Sequence, residues 1–424
     1  MPQGSRPRLR AIIVGAGIGG LTMAHALHKA GIDFIVVEKH AHVDAPVGGL
    51  LVILPGSLRI LHQIGLLAGL KAVANKTLPR IVAWDPELQS SIASVSDMHV
   101  KHGEHALVVE RRKLVSFLYE ALPDKSKILT SRPVVGVQHE ADGVRVDFPD
   151  GLFEKGDLVV GADGVHSVVR SAMWECADMK DLGLMKANDR KTVFQQWKCL
   201  WGLAPRKGDI DYGYTIRNCG EGRSAGLITG SDKIGMCLTW KLGSDEMRRE
   251  TQYTADEAEE SAASFSRQLL AEDVVFGDLW SAKERGALLD IEVSCQKRWH
   301  HGRIVLVGDA VHCVTIVSGF GGNMCIESAA VLANTLHEAI VVNEERAKDR
   351  LSGSELETAL RRYQERRLPR ALKSCRLAHL FERLQAQDGL WMRLSARFVL
   401  PWLFPVLIAW IYSQWVRGSP VLDF

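Results

Sequence analysis

The N-terminal part of the chain alternates short apolar runs with a glycine turn and a helical pattern. Ala11 to Val14 is a β-branched apolar run that breaks into glycines, and apolar residues at helical spacing follow it. A second apolar run, Phe34 to Val37, ends in Glu38. This order predicts a strand, a tight turn, a helix and a second strand, which together make a βαβ unit of roughly 30 residues.

The later strands follow two different patterns. Leu158 to Val160 and Ile304 to Val307 are further buried-strand runs, and each is followed by a Gly/Asp pair. Between about Lys191 and Leu242, alternating residues and turn signals predict antiparallel strands instead. We therefore predict an α/β fold in which a Rossmann-like domain is interleaved with an antiparallel-sheet domain, followed by a C-terminal helical and apolar segment.

The chain is expected to leave the first domain and return to it. The predicted boundaries are 1–80, 105–180 and 290–345 for the Rossmann-like domain, 81–104 and 181–289 for the antiparallel-sheet domain, 346–397 for a helical region and 398–416 for an apolar segment. In the helical region, a period typical of helices runs from Ser354 to Gln387. Its arginines are predicted to form a solvated face: Arg361, Arg362, Arg366 and Arg367.

Composition narrows the classes of function. The 52 Lys and Arg against 50 Asp and Glu leave a net charge of +2, which gives no strong field for binding nucleic acid. The 8 cysteines are scattered without a CxxC pair, and this argues against a disulfide framework or a metal site. The same scatter of cysteines favours a reducing compartment. The basic N-terminus is followed by an apolar run too short for a signal-peptide core, so this end is interpreted as a free tail.

Glycines at the first turn predict a dinucleotide site. Gly15, Gly17 and Gly20 form GxGxxG between the predicted strand and helix. Glycine is needed there for the turn, for close approach of a pyrophosphate and for packing of the helix on the strand. Glu38 follows at the end of the second strand, where a carboxylate accepts hydrogen bonds from ribose hydroxyls.

Two further motifs indicate which dinucleotide is bound. Asp163-Gly164 and Gly308-Asp309 close the two later strands. With GxGxxG, DG and GD in this order, the sequence resembles the FAD-dependent aromatic-hydroxylase class of monooxygenases over roughly residues 10 to 340. The resemblance implies that Asp309 contacts the ribityl chain of FAD and that the helix starting around Gly322 faces the flavin ring.

The same resemblance implies roles for other residues. Arg111 matches the family arginine that reaches FAD, whereas Arg112 and Lys113 are interpreted as a surface basic cluster. Asp163 matches the residue associated with contacts to the FAD pyrophosphate and to NADPH, and Arg170 is then either a local salt-bridge partner or a phosphate partner.

A closer resemblance is to fungal monooxygenases of the paspaline and meroterpenoid type, which epoxidise an isoprenoid chain. It rests on the strings Leu58 to Gly65, Gly319 to Glu327, Arg383 to Gly389 and Val421 to Phe424. Two positions depart from that pattern. Val52 stands where a glycine is usual, although its backbone can still contact FAD, and Ile316 stands where a proline is usual.

The resemblance implies a function. The chain is expected to be an FAD-dependent monooxygenase that uses NADPH and oxygen to epoxidise a small apolar, prenylated intermediate of secondary metabolism. Because no second GxGxxG exists, NADPH is expected to reduce the flavin from a shared surface. Two alternatives remain open: a soluble aromatic hydroxylase of the salicylate-hydroxylase type, and a flavin-binding protein without turnover.

Few side chains are candidates for catalysis. His312 is the titratable group predicted to be nearest the flavin face, where it could transfer a proton or serve a structural role. Five aromatic residues could line an apolar pocket or pack in the core of the second domain: Trp197, Trp201, Tyr212, Tyr214 and Trp240.

The apolar segment near the C-terminus suggests a membrane contact. Phe398 to Val416 would reach about 28 Å as a helix, close to the ~30 Å thickness of bilayer hydrocarbon. Pro401 and Pro405 weaken a clean span, so a helix that lies on the bilayer and a soluble helical cap remain alternatives. We expect the protein to be membrane-associated and to face the cytoplasm.

Overall fold

A computed structural model of the chain describes most of the sequence in twelve ranges. These are residues 9–45, 48–74, 76–78, 81–85, 90–95, 103–180, 191–206, 213–220, 222–243, 253–271, 274–346 and 350–424. The predicted fold class is confirmed, because a parallel sheet and a mainly antiparallel sheet are built from interleaved parts of the chain.

The first sheet has six strands and contains the N-terminal βαβ unit. Ile12 lies between Val159 and Ile35 in parallel register, and these strands are buried because helices cover them. In spatial order, the strands are His300–His301, Ile304–Leu306, Leu158–Gly161, Arg10–Val14, Asp33–Val37 and Ile128–Leu129.

The second sheet has eight strands, and most neighbouring pairs are antiparallel. In spatial order, the strands are His312–Cys313, Arg285–Gln296, Lys191–Pro205, Lys233–Lys241, Arg223–Thr229, Gly213–Gly220, Ile81–Asp85 and Ser90–Val95. The boundary predicted between residues 289 and 290 falls inside the strand Arg285–Gln296. The chain changes sheets only after that strand ends, because a strand paired along its whole length cannot belong to two sheets.

Three smaller sheets complete the β-structure. Their strands are Phe153–Gly156, Gly143–Asp147 and Gly136–Glu140 in one sheet, Leu50–Ile53, Leu107–Glu110 and Lys76–Thr77 in another, and Leu269–Ala271 with Val274–Val275 in the third.

The α-helices within the described residues range in length from 5 to 33 residues. They are Ile18–Lys29, Pro55–Gln63, Leu67–Val73, Arg111–Glu120, Val168–Lys180, Ala255–Ser264, Phe276–Ser281, Gly321–Glu345, Gly353–Gln385, Leu390–Leu394 and Leu400–Arg417. Three are used repeatedly below: Gly321–Glu345 is called the central helix, Gly353–Gln385 the long helix and Leu400–Arg417 the C-terminal helix.

The long helix confirms the predicted helical region, but one of its arginines is not solvated. Arg361, Arg362 and Arg366 are exposed, whereas the side chain of Arg367 is 1% exposed and pairs with Glu327 of the central helix at 3.0 Å. Arg367 is buried because it follows Tyr363 by four residues, which places it on the helix face that packs against the protein. The prediction of a solvated Arg367 was therefore wrong.

The C-terminal helix has two different halves. Towards its end, Trp415 is buried and stacks on Phe320 with ring centroids 4.9 Å apart, so this half is a packed cap. Nearer its start, Leu403, Val406 and Trp410 are 53%, 74% and 58% exposed. Within the described residues, one helix is long and apolar enough to cross a membrane by length and composition. That helix is the central helix, and 61% of its apolar window is buried inside the protein.

Candidate functional site

The glycine turn between the first strand and the first helix has the geometry that its sequence predicts. Gly15 has a φ of +101°, and a Cβ added there would lie 2.6 Å from the carbonyl oxygen of Ala162. A Cβ on Gly20 would lie 1.9 Å from the carbonyl oxygen of Gly15. Both positions therefore exclude a side chain, because the opposing atoms belong to the backbone.

Gly17 serves a different purpose from the other two glycines. It is the N-cap of the helix Ile18–Lys29, and only the Arg111 guanidinium comes within 4 Å of an added Cβ, at 3.9 Å. The absence of a side chain at Gly17 leaves the amino end of the helix open, and such an end attracts phosphate groups.

Glu38 stands at the end of the second strand and is only 9% exposed. Its Oε2 accepts a hydrogen bond from the backbone N–H of Ala16 at 2.8 Å, and its Oε1 accepts one from the backbone N–H of His40 at 3.0 Å. The Nδ1 of His40 also lies 2.6 Å from Oε1. The carboxylate is thus fixed beside the glycine turn, where Oε2 keeps a lone pair that can accept a hydrogen bond from a ribose.

Two cavities join into one groove beside this turn. The first has a volume of about 390 Å³ and is lined by Glu38 and Asp163 among others. The second has a volume of about 400 Å³ and is lined by Asp309 and Gly322 among others. Both cavities share Gly17, Arg111, Ala162 and Gly164, so the groove continues from one to the other. Two adjoining volumes with a shared, glycine-lined middle fit an extended dinucleotide.

A pair of opposite charges lies along this groove. The Asp309 side chain is exposed to the cavity, but protein surrounds its carboxyl group. This burial raises the pKa of the carboxyl group, while the nearby Arg111 guanidinium lowers it. Arg111 passes so close to Gly48 that a Cβ there would lie 2.7 Å from the Arg111 Cδ. Arg111 is therefore positioned to neutralise negative charge in the middle of the groove.

Asp163 borders the groove, but its own turn uses both of its carboxylate oxygens. Its Oδ1 accepts a hydrogen bond from the Ser167 hydroxyl at 2.5 Å, and its Oδ2 accepts one from the Val169 backbone N–H at 3.1 Å. Arg170, predicted to bind a carboxylate or a phosphate, donates hydrogen bonds to the carbonyl oxygens of Ala310 and Val165 at 2.9 and 2.6 Å. These bonds hold the two motif loops together.

Asn323 organises the far end of the groove, and its hydrogen bonds were not predicted from the sequence. Its Nδ2 donates hydrogen bonds to the carbonyl oxygens of Val52 and Gly319 at 2.8 and 2.7 Å, and its Oδ1 accepts one from the Leu54 backbone N–H at 2.8 Å. The Val52 carbonyl is therefore already used within the protein. The sequence signal that could have identified Asn323 is its position directly after Gly322, at the start of the predicted helix.

The position of His312 differs from the prediction. Its side chain is 2% exposed, does not line the groove, and its Nε2 lies 2.8 Å from the Ser328 hydroxyl. Burial, together with the nearby Arg367 guanidinium, lowers the pKa of His312 to about 3, so the ring is neutral. The structure thus places His312 behind the groove as a packing residue, and its predicted role in proton transfer is corrected.

Ile316 does not prevent the loop before the central helix from turning. Ile316–Ser318 forms a single 3₁₀ turn in which the Gly319 backbone N–H donates to the Ile316 carbonyl oxygen at 3.1 Å. Gly319 then adopts a φ of +66°, which glycine allows at low cost. The left-handed conformation of Gly319 therefore forms this turn without the usual proline at position 316.

An aromatic side chain that was not among those predicted lines the groove. Tyr412, from the C-terminal helix, borders the second cavity, and its hydroxyl lies 3.4 Å from the Ser318 carbonyl oxygen. Trp197 is instead fully buried, and Trp240 packs against the second core cluster. Trp201 lies beside Gly49, where an added Cβ would be 3.7 Å from its ring, and Tyr214 lies in the strand Gly213–Gly220. Tyr212 is outside the described residues.

Comparison with known proteins agrees with this geometry. The sequence model of the family described as "FAD binding domain" matches residues 8–377, which include the whole groove except Tyr412. The chain belongs to this family. It is an oxidoreductase that binds FAD, because its relatives are FAD-dependent monooxygenases.

The relatives are fungal enzymes of secondary metabolism. The chain is 31% identical over 421 residues to the FAD-dependent monooxygenase olcE of Penicillium canescens, covering 98% of this chain and 89% of that protein. It is 31% identical over 400 residues to the FAD-dependent monooxygenase ptmM of Penicillium ochrochloron, covering 94% of each chain. The chain is therefore an FAD-dependent monooxygenase of the fungal secondary-metabolite type.

Solved structures share the fold at lower sequence identity. The complex of Klebsiella pneumoniae HpxO with FAD and uric acid matches with a TM-score of 0.76 at 22% identity, covering 97% of each chain. The 2,6-dihydroxypyridine-3-hydroxylase from Arthrobacter nicotinovorans matches with a TM-score of 0.68 at 20% identity, covering 91% of this chain and 95% of that one. At such identities the likeness concerns the fold alone.

Proposed function

We propose that this monooxygenase uses NADPH and oxygen to epoxidise the isoprenoid chain of a prenylated intermediate in fungal secondary metabolism. The observation that carries the proposal is the apolar end of the groove. Beyond Asp309 and Gly322, the second cavity is bordered by apolar residues that include Ile228 and Leu289 of the eight-stranded sheet and Leu51 of a smaller sheet. Such walls suit an apolar substrate, because Leu51, Ile228 and Leu289 can bury apolar surface but cannot pair with a charged group. The charged residues of this cavity are Arg111, Asp290 and Asp309.

Different residues of the groove would bind different parts of the cofactor. FAD, when bound, supplies the redox chemistry that activates oxygen. Glu38 holds the ribose end, the open helix end at Gly17 holds phosphate, and Arg111 offsets negative charge. The amino end of the central helix opens onto the second cavity, where its dipole stabilises negative charge. The apolar walls exclude water from the place of reaction.

NADPH shares this surface in our proposal. The chain contains one GxGxxG, at Gly15 to Gly20, and that turn already serves the FAD groove. A second nucleotide would therefore bind from outside rather than in a Rossmann domain of its own, and it would supply reducing equivalents where the groove opens.

The C-terminal segment suits a lipid-soluble substrate. Its exposed apolar side chains, here called the C-terminal apolar face, include Leu390, Trp391, Leu394, Phe398, Val399, Leu403, Val406 and Trp410. Leu403, Val406 and Trp410 recur at i, i+3 and i+7, so they share one side of the helix. Exposed arginines flank the face at positions 393, 397 and 417. Apolar residues bordered by basic ones are typical of helices that lie on an anionic bilayer, so we propose that the protein is attached to the cytoplasmic face of a membrane.

The attachment can be tested without disturbing the packed half of the C-terminal helix. Removing the segment would also remove Tyr412 from the groove, so point substitutions are preferable. We expect Leu403→Asp and Val406→Asp together to abolish flotation with anionic vesicles, because two charges would enter the interface. Leu152→Asp is the matched control, since Leu152 and Leu403 are both 53% exposed. Equal flotation of both variants would contradict the proposed face.

The reaction can be tested with the purified protein, NADPH and ¹⁸O₂. Prenylated aromatics and simple aromatic acids are offered in parallel, and products are analysed by mass spectrometry. We expect one labelled oxygen atom in the isoprenoid chain and substrate-stimulated oxidation of NADPH. Ring hydroxylation of the aromatic acids instead would favour a soluble aromatic hydroxylase. NADPH oxidation that no substrate stimulates would contradict the assigned substrate class.

A further inference from the structure

A buried carboxyl group lies behind the substrate cavity and has no role in the chemistry described so far. Glu382, on the long helix, is 0% exposed. Its Oε1 accepts a hydrogen bond from the Thr239 hydroxyl at 2.5 Å and one from the Ser224 hydroxyl at 3.1 Å. Its Oε2 is buried and has no hydrogen-bond partner among the described residues.

The surroundings of Glu382 favour its neutral form. The groups that face it are the hydroxyls of Ser224, Thr239 and Thr315 and the thiol of Cys199. Burial raises the pKa of the Glu382 carboxyl, and the three hydroxyls oppose this effect without removing it. An ionised carboxylate buried without a cation would be far more costly than a neutral acid, which the hydroxyls can satisfy.

Thr315 connects this acid with the cavity. It is 1% exposed, borders the second cavity, and is the N-cap residue of the 3₁₀ turn Ile316–Ser318. A threonine in that position normally bonds to the backbone of its own turn, but this one makes no such bond. Its Oγ1 has no hydrogen-bond partner among the described residues, although it lies near enough to affect the Glu382 pKa.

The direction of the hydrogen bonds follows from these positions. Oε1 of Glu382 already accepts hydrogen bonds from two hydroxyls, so the acidic proton belongs on Oε2. Oε2 and the Thr315 hydroxyl are both buried without a hydrogen-bond partner among the described residues, so each is available to pair with the other. A hydroxyl that accepts this proton in a hydrogen bond has its own O–H left to donate. We propose that Glu382 orients Thr315 as a hydrogen-bond donor into the cavity, where it positions a carbonyl or hydroxyl oxygen of the substrate.

This inference rests on the proposed isoprenoid substrate and narrows it. The walls of the cavity next to Thr315 are largely apolar, so one fixed donor can select the orientation of a long apolar molecule. A substrate with an acceptor oxygen would be held by that oxygen, and its isoprenoid chain would extend along the apolar wall. Thr315 contacts the substrate in this arrangement, and Glu382 is a positioning residue that acts through it.

The state of Glu382 can be measured without any substrate. Infrared spectra of the FAD-bound protein at neutral pH are compared between the native chain and Glu382→Gln, a near-isosteric change. We expect the native protein to show the carbonyl stretch of a buried carboxylic acid and the variant to lack it. In Thr315→Val, the band should remain but shift, because the acid loses its acceptor. If the native protein and Glu382→Gln do not differ in the carbonyl region of protonated carboxylic acids, Glu382 is ionised and the proposal is overturned.

The donor can be tested with two probes that differ by one oxygen. Farnesol carries a hydroxyl acceptor and farnesene does not, and the binding of each is followed by the change in flavin absorbance. We expect Thr315→Val to weaken farnesol binding about 5-fold, the effect of one net hydrogen bond, and to leave farnesene binding unchanged. Thr315→Ser should restore farnesol binding, since serine keeps the hydroxyl.

The outcomes separate this inference from the proposed function. If Thr315→Val binds both probes as the native protein does, the donor is refuted while the isoprenoid substrate class stands. If the native protein binds neither probe, the isoprenoid class itself fails, and the position of the Glu382 proton is still decided by the infrared comparison.

Discussion

The strongest test of the packing around the cofactor groove is removal of one negative charge from the central helix. Glu327 is 0% exposed and pairs with Arg367 at 3.0 Å and with Arg370 at 2.6 Å. Arg370 also donates a hydrogen bond to the carbonyl oxygen of Trp415, at 2.8 Å, in the C-terminal helix. One carboxylate therefore holds together the three helices behind the groove.

The perturbation is Glu327→Gln, which keeps the shape of the side chain and removes its charge. The Arg367 side chain is 1% exposed, so its guanidinium would remain buried without a counter-charge. Breaking a buried ion pair in this way costs about 3–5 kcal/mol in the free energy of unfolding. Replacing both members, as Glu327→Gln with Arg367→Met, should cost less than the single change, because no unpaired charge is then left at that position.

A matched control lies on the surface of the same pair of helices. Glu338 also pairs with two arginines, Arg362 and Arg366, each at 3.0 Å, but all three side chains are 40% exposed or more. We expect Glu338→Gln to cost less than about 1 kcal/mol. The assay is urea unfolding followed by tryptophan fluorescence with saturating FAD. Equal losses in Glu327→Gln and Glu338→Gln would refute the reasoning, because burial would then not determine the cost.

Three further predictions concern single carboxylates. Glu38→Ala should weaken FAD binding by roughly 1.5–3 kcal/mol, measured by flavin fluorescence titration, because charge-assisted hydrogen bonds are lost; unchanged affinity would remove Glu38 from the site. Asp309→Ala should abolish turnover while circular dichroism stays native, since this carboxylate faces the cavity; retained activity would contradict its role. The raised pKa of Glu382 means that unfolding releases its proton above the usual Glu pKa, so stability falls as pH rises towards neutral. Glu382→Gln should remove this loss in urea titrations, and a difference from the native protein that does not vary with pH would argue against a neutral Glu382.

Features that depend on residues close together in the sequence could be predicted from the sequence. The glycine turn is one example, because Gly15 has a φ of +101° and Gly20 faces the backbone of Gly15, so both requirements arise within the turn itself. The apolar strands on either side and Glu38 at the strand end belong to the same short unit. The DG and GD motifs, which follow GxGxxG in this order, then indicated the family. Each of the two motifs lies at a strand end that borders the same groove.

Contacts between distant parts of the chain could not be predicted in this way. Arg366 and Arg367 are adjacent and chemically identical, yet one is exposed and the other is buried against Glu327. His312 follows the GD motif but turns towards Ser328. The C-terminal helix is apolar along most of its sequence, yet Trp415 packs on Phe320 whereas Val406 remains exposed. In each case the environment of the side chain is set by an element far away in the chain, so the burial that controls its charge and its contacts exists only after the helices and sheets have packed.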